Sequence, residues 1–168
     1  MSSDSGPDKQ RCGVCGHGFH GGEPRYRRED RATHLRCHEG QRVLLVDDDA
    51  ALRELMVEAV QRGGYVVDVA ANGQEALQRI EQHEYDLVLS DLDMPEMDGP
   101  ALYRAIERAF PRYAARIAFM TAHGTAEKYS TFVRDVRAPV LRKPFHRAEF
   151  VETVARMIGT ASLGPRRG

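Results

Sequence analysis

From residue 42 onward, short apolar runs alternate with amphipathic stretches, and no other feature of the chain limits its fold as tightly. Five short apolar runs read as buried strands: Val43–Val46, Val66–Ala70, Leu87–Leu89, Ile117–Met120 and Val140–Leu141. The clearest are apolar without a break, as in strands covered on both faces. Between them, apolar residues recur at helical spacing. Leu52, Leu55, Met56, Ala59 and Val60 follow i, i+3, i+4, i+7, i+8, and Leu102, Ala105, Ile106, Ala109 and Phe110 repeat it. Val151, Val154, Ala155 and Ile158 begin the same pattern. Ala76, Leu77 and Ile80 give a shorter helix, and residues 124–137 a less regular one. Strand and helix in turn, five times over, predict an α/β fold: a five-stranded parallel, doubly wound sheet with helices on both faces.

The first forty residues have another character. Residues 1–10 are polar, and a disordered N-terminus is expected there. Residues 11–40 contain almost no Leu, Ile or Val and cannot bury a core of their own. All three cysteines fall between residues 12 and 37. An odd number argues against a closed disulfide framework. The first 30 residues lack an apolar signal core, so a reduced, cytoplasmic setting is expected. Clustered cysteines there point to a metal. Cys12-x2-Cys15, 18 residues, then His34-x2-Cys37 is zinc spacing, two short-reach pairs that close a tetrahedron. Four protein ligands leave no open position, so the Zn²⁺ is read as structural. His17, His20 and His38 are alternative ligands, and redox thiols the alternative chemistry. In ligand spacing the segment resembles a single zinc-finger module of LIM-like type. The expected organisation is a tail at 1–10, a zinc-binding module at 11–40, an α/β domain at 41–160 and a flexible tail at 161–168.

Net charge is −1, and both parts of the chain are nearly neutral, so no global basic field recruits nucleic acid. Arg25, Arg27, Arg28, Arg31 and Arg36 form either a solvated face or a small phosphate-binding one. No apolar run approaches 18 residues, so no membrane-spanning helix is expected.

In an open parallel sheet, ligands bind beyond the carboxyl ends of the strands. The runs lead there into Asp47, Asp48 and Asp49, into Asp91, into Thr121 and into Lys143. Each alone has an ordinary reading: an Asp after a strand commonly caps the next helix, as Asp49 is expected to do, and a lone Lys is usually solvated. Together they say more. Gathered carboxylates repel unless a cation neutralises them, and hard oxygen ligands suit Mg²⁺. The chain uses 21 Arg and only three Lys, so Lys143 suggests a need for a compact point charge.

RVLLVDDD, DLVLSDLDMPEMDG, FMTA and LRKPF, in that order and spacing, resemble the receiver domain of two-component response regulators. The resemblance covers about residues 41–160. It implies a flavodoxin-like sheet of strand order 2-1-3-4-5. It implies that Asp91 is the phosphoacceptor, attacking a phosphohistidine. It further implies that Asp48 and Asp91 bind Mg²⁺ directly, Asp47 through water, and Asp93 by its backbone carbonyl. Thr121, Ala122 and Lys143 would bind the phosphoryl group, and Lys143–Pro144 would be a cis peptide. Thr121 and the position three before Lys143 form the family's switch; there many members carry Tyr or Phe and this chain has Val140.

The expected function is that of a response regulator receiver, phosphorylated by a histidine kinase or phosphotransfer protein. It catalyses only its own phosphorylation and dephosphorylation. About eight residues follow the receiver, so output is expected through contact with a downstream protein rather than a conventional output domain. The alternatives are an unphosphorylated receiver-fold scaffold and a nucleic-acid-binding regulator acting through the zinc module.

Overall fold

The computed structural model describes residues 25–28, 31–34, 40–122 and 125–161. The chain divides into two compact units, residues 1–39 and 40–168. In the first, β1 (Arg25–Arg28) and β2 (Arg31–His34) pair antiparallel, with Arg25 opposite His34. This hairpin is not foreseen by the apolar pattern, because the segment carries almost no apolar residues to reveal it. Of the expected zinc ligands, Cys12, Cys15 and Cys37 lie outside the described residues, and His34 closes β2.

The second unit holds β3 (Arg42–Val46), α1 (Ala50–Arg62), β4 (Val66–Ala70), α2 (Gly73–Gln82), β5 (Leu87–Asp91), α3 (Gly99–Ala109), β6 (Ile117–Thr121), α4 (Thr125–Lys128), α5 (Ser130–Val136), β7 (Val140–Arg142) and α6 (Arg147–Ala161). The five strands are parallel, in the order β4-β3-β5-β6-β7. Counted within this sheet, that is 2-1-3-4-5, the expected order.

Alternate residues of the central strands point to opposite faces. Leu44, Val46, Val88 and Phe119 pack with Ala76 and Ile80 of α2 and with Leu102 and Ile106 of α3. Val43, Leu45, Leu87 and Leu89 are equally buried on the opposite face, where α1 and α6 lie against each other. The first three helices start at side-chain caps: Asp49 accepts from the Leu52 amide, Asn72 from Glu75 and Asp98 from Ala101. Each cap satisfies an amide that the first helical turn leaves without a partner.

Three expectations need correction. Leu55 follows the helical spacing of α1 with its apolar neighbours, yet it is 64% exposed. The five-residue stripe is wider than the face that α1 buries, which is Met56, Ala59 and Val60. The edge strand β4, read as a covered run, leaves Val66 exposed and buries fully only Ala70, because it has a neighbour on one side only. The helix over 124–137 is two short ones, α4 and α5, broken at the buried Tyr129.

Gly99, the first residue of α3, sits against the end of β5. Its amide donates to the Leu92 carbonyl at 3.0 Å. A Cβ there would lie 3.0 Å from the Asp91 carbonyl oxygen and from the Leu92 Cα. Glycine thus lets the two backbones approach closely, where a Cβ would press on both.

Candidate functional site

Because all five strands run the same way, their carboxyl ends share one rim. β3 delivers Asp47 and Asp48, β5 ends in Asp91, β6 ends in Thr121, and β7 leads within one residue to Lys143. Asp47 is fully buried, Asp91 nearly so, and Asp48 is exposed.

Lys143 ties two of these strands together. Its ammonium donates at 2.6 Å to Asp47 Oδ2 and at 2.6 Å to Asp91 Oδ2. Its backbone is placed by a bond from the Lys143 amide to the Thr121 carbonyl at 2.8 Å, and the Lys143–Pro144 peptide is cis. Burial opposes the charge on Lys143, but its hydrogen bonds to Asp47 and Asp91 outweigh that and hold the ammonium above the ordinary lysine range. For Asp91, burial is the larger effect and pushes the carboxyl up, against the bond from Lys143. One ammonium does not fully offset a desolvated group of carboxylates.

The remaining oxygens are held locally. Asp47 Oδ1 accepts from the Asp49 amide at 2.9 Å, and the Arg53 guanidinium donates to the Asp47 carbonyl. Asp91 Oδ1 accepts from the Asp93 amide at 3.2 Å, and the Ser90 hydroxyl donates to the Asp91 carbonyl. Asp47, Asp48 and Asp91 each offer a carboxylate oxygen, and these lie within 4.8 Å of one another. Three hard oxygens so close, one buried and one nearly so, fit a small divalent cation such as Mg²⁺, which would neutralise the repulsion.

Thr121 is buried, and its hydroxyl donates to the Ala122 carbonyl at 3.3 Å; Ala122 is exposed. Val140 is half-buried and packs against the core beside Phe119, its partner in the β6–β7 ladder.

Three contributors escape sequence reasoning. Arg53 carries no signal, since it reads as an ordinary polar residue of α1. Lys128 and Tyr129 are the others. Lys128 Nζ and the Tyr129 hydroxyl both donate to Asp93 Oδ1, each at 2.8 Å. Those bonds, Lys128 first, hold the Asp93 carboxyl below the usual carboxylate range. The scarcity of lysine that singles out Lys143 applies equally to Lys128.

A family model described as the response regulator receiver domain matches residues 43–155. The response regulator receiver protein CpdR of Brucella abortus is 33% identical over 118 residues, which cover 70% of this chain and 97% of that protein. A stretch of the sensor kinase CckA of the same organism is 41% identical over 122 residues, covering 69% of this chain but only 12% of the kinase. Among solved structures, the chemotaxis protein CheY4 of Vibrio cholerae superposes with a TM-score of 0.62 at 28% identity, covering 70% of this chain and 98% of that one. Among the described residues no helix is long and apolar enough to cross a membrane. The family model alone spans about two thirds of the chain, CpdR matches along nearly its whole length, and the sheet order agrees: this chain belongs to the response regulator receiver domain family.

Proposed function

We propose that Asp91 accepts a phosphoryl group from a phosphohistidine of a histidine kinase or phosphotransfer protein, in a magnesium-dependent reaction. A carboxylate oxygen of Asp91 attacks phosphorus while the P–N bond breaks, and its electron pair leaves on the imidazole. A carboxylate suffices as nucleophile because the donor is reactive. The chain's own task is to position the groups and to meet spreading negative charge.

The observation that carries this reading is the bridge from Lys143 to both Asp47 and Asp91 at 2.6 Å. Asp47 keeps the ammonium at the rim once Asp91 carries the phosphoryl group as an acyl phosphate, and Lys143 then turns its remaining donors to the phosphoryl oxygens. Thr121, next along β6 from the residue paired with Asp91, supplies a hydroxyl to the same oxygens, and Ala122 leaves the approach open. Asp48 and Asp91 would hold Mg²⁺ directly, Asp47 through water, and Asp93 by its main-chain carbonyl. When bound, the cation would neutralise the charge that gathers on the carboxylates and the entering phosphoryl group.

The likeness to part of a sensor kinase and to a receiver protein supports a phosphohistidine donor. Signalling proceeds through Thr121, with Val140 contributing no aromatic ring, to a downstream protein by direct contact. Cys12, Cys15, His34 and Cys37 hold a structural Zn²⁺ in the preceding segment, a reading supported by their spacing.

Incubation with Mg²⁺ and acetyl phosphate, followed by intact mass, tests the central claim. The protein gains one phosphoryl group and Asp91→Asn gains none. Equal labelling of the two proteins would remove Asp91 from its role.

A further inference from the structure

Asp93 presents a difficulty for an anion-accepting site. It lies two residues from Asp91, its amide is bonded to Asp91 Oδ1, and its own side chain is a carboxylate. Left bare, that carboxylate would repel an incoming phosphoryl group and compete for the cation. It is not bare. Asp93 is absent from the group of carboxylates that converge within 4.8 Å at the rim. Its Oδ1 instead takes two donors from the junction of α4 and α5, Lys128 Nζ at the end of α4 and the hydroxyl of Tyr129, which follows it.

The two donors differ in kind. Tyr129 is 4% exposed, packed in the core, and its hydroxyl needs an acceptor. It is the fixed point. Lys128 is exposed, lies over the Tyr129 ring at 4.7 Å from its centroid, and supplies the charge. An exposed ion pair alone contributes little. This one is organised by a buried hydroxyl on the same oxygen and by the ring beneath the ammonium. Only two lysines occur after residue 40, and both meet carboxylates at this rim.

Resting on the phosphoacceptor reading of Asp91, we infer that Lys128 and Tyr129 are positioning residues for phosphoryl acceptance. They hold the Asp93 carboxylate aside and neutralised, so that Asp93 offers the cation only its main-chain carbonyl.

The test uses the full chain and two probes, Mg²⁺ alone by calorimetry and acetyl phosphate by intact mass. In Lys128→Ala the freed Asp93 carboxylate makes the rim more negative. Mg²⁺ then binds about threefold more tightly while Asp91 is labelled about threefold more slowly. Opposite shifts of this kind do not arise from a loosened fold, which weakens both. Tyr129→Phe shifts both quantities in the same directions as Lys128→Ala. The coupling is decisive: in an Asp93→Asn background, Lys128→Ala changes neither quantity. Unchanged Mg²⁺ affinity and labelling in Lys128→Ala, or an equal effect of that substitution with and without the Asp93 carboxylate, overturns the inference. Failure of the wild type to be labelled would instead overturn the phosphoacceptor reading, while the Mg²⁺ arm would still test the tether.

Discussion

Replacing Lys143 with Met removes the one ammonium between two carboxylates and keeps a side chain of similar length. The side chains of Lys143, Asp47 and Asp91 are 14%, 1% and 11% exposed, so little solvent screens the pairs. Taking one partner from a buried ion pair costs about 3–5 kcal/mol, because the other charge is left uncompensated. Asp91, already pushed up by burial, can escape part of that cost by taking a proton. The expected loss is therefore near the low end, about 3 kcal/mol, out of a total of about 5–15 for a domain. That lowers the thermal midpoint by about 10 °C. The assay is urea unfolding followed by circular dichroism at pH 7, without and with Mg²⁺. Magnesium supplies the missing positive charge, so it stabilises Lys143→Met more than wild type. The pH dependence follows from the directions of the two shifts. The folded pKa of Lys143 is raised, so its contribution is complete below the ordinary lysine value and disappears as pH rises through the raised one. The folded pKa of Asp91 is also raised, so a bare Asp91 costs less as pH falls through it. The gap between wild type and variant is thus widest near neutrality and narrows in acid and in strong alkali. A variant within about 1 kcal/mol of wild type at pH 7, or one indifferent to Mg²⁺, would refute the reasoning.

Three further outcomes are expected. Lys143→Arg keeps the charge but spreads it over a bulkier plane, so the protein folds while partner binding after phosphorylation is impaired; unchanged labelling and unchanged binding would count against the point-charge argument. Gly99→Ala forces its Cβ against the backbone of Asp91 and Leu92, which costs about 1–3 kcal/mol in urea unfolding and slows labelling of Asp91 as the strand end shifts. The purified protein contains about one zinc ion per chain by elemental analysis, and Asp91 labelling is intact once a chelator has stripped the zinc, the chelator has been removed and Mg²⁺ has been restored; a metal-free native chain would remove the zinc reading.

The sequence by itself determined the layered α/β architecture. Apolar runs with helical patterns between them admit few arrangements, and right-handed crossovers narrow those further. It also placed Asp47, Asp48, Asp91, Thr121 and Lys143 at strand ends, since parallel strands bring their carboxyl ends to one rim. Where a signal depends on chain-neighbour spacing, it is legible. The tertiary structure alone decided which part of the apolar stripe of α1 is covered: Met56, Ala59 and Val60 are buried, and Leu55 is left exposed. It alone showed Lys143 bonded to two carboxylates 52 and 96 residues away in the chain. And it alone brought Lys128 and Tyr129 to Asp93 across more than 30 residues, breaking a helix at Tyr129. Such contacts have no period and no local pattern. They are set by how strands and helices pack once the chain has closed on itself, and residue spacing along a sequence carries no record of that distance.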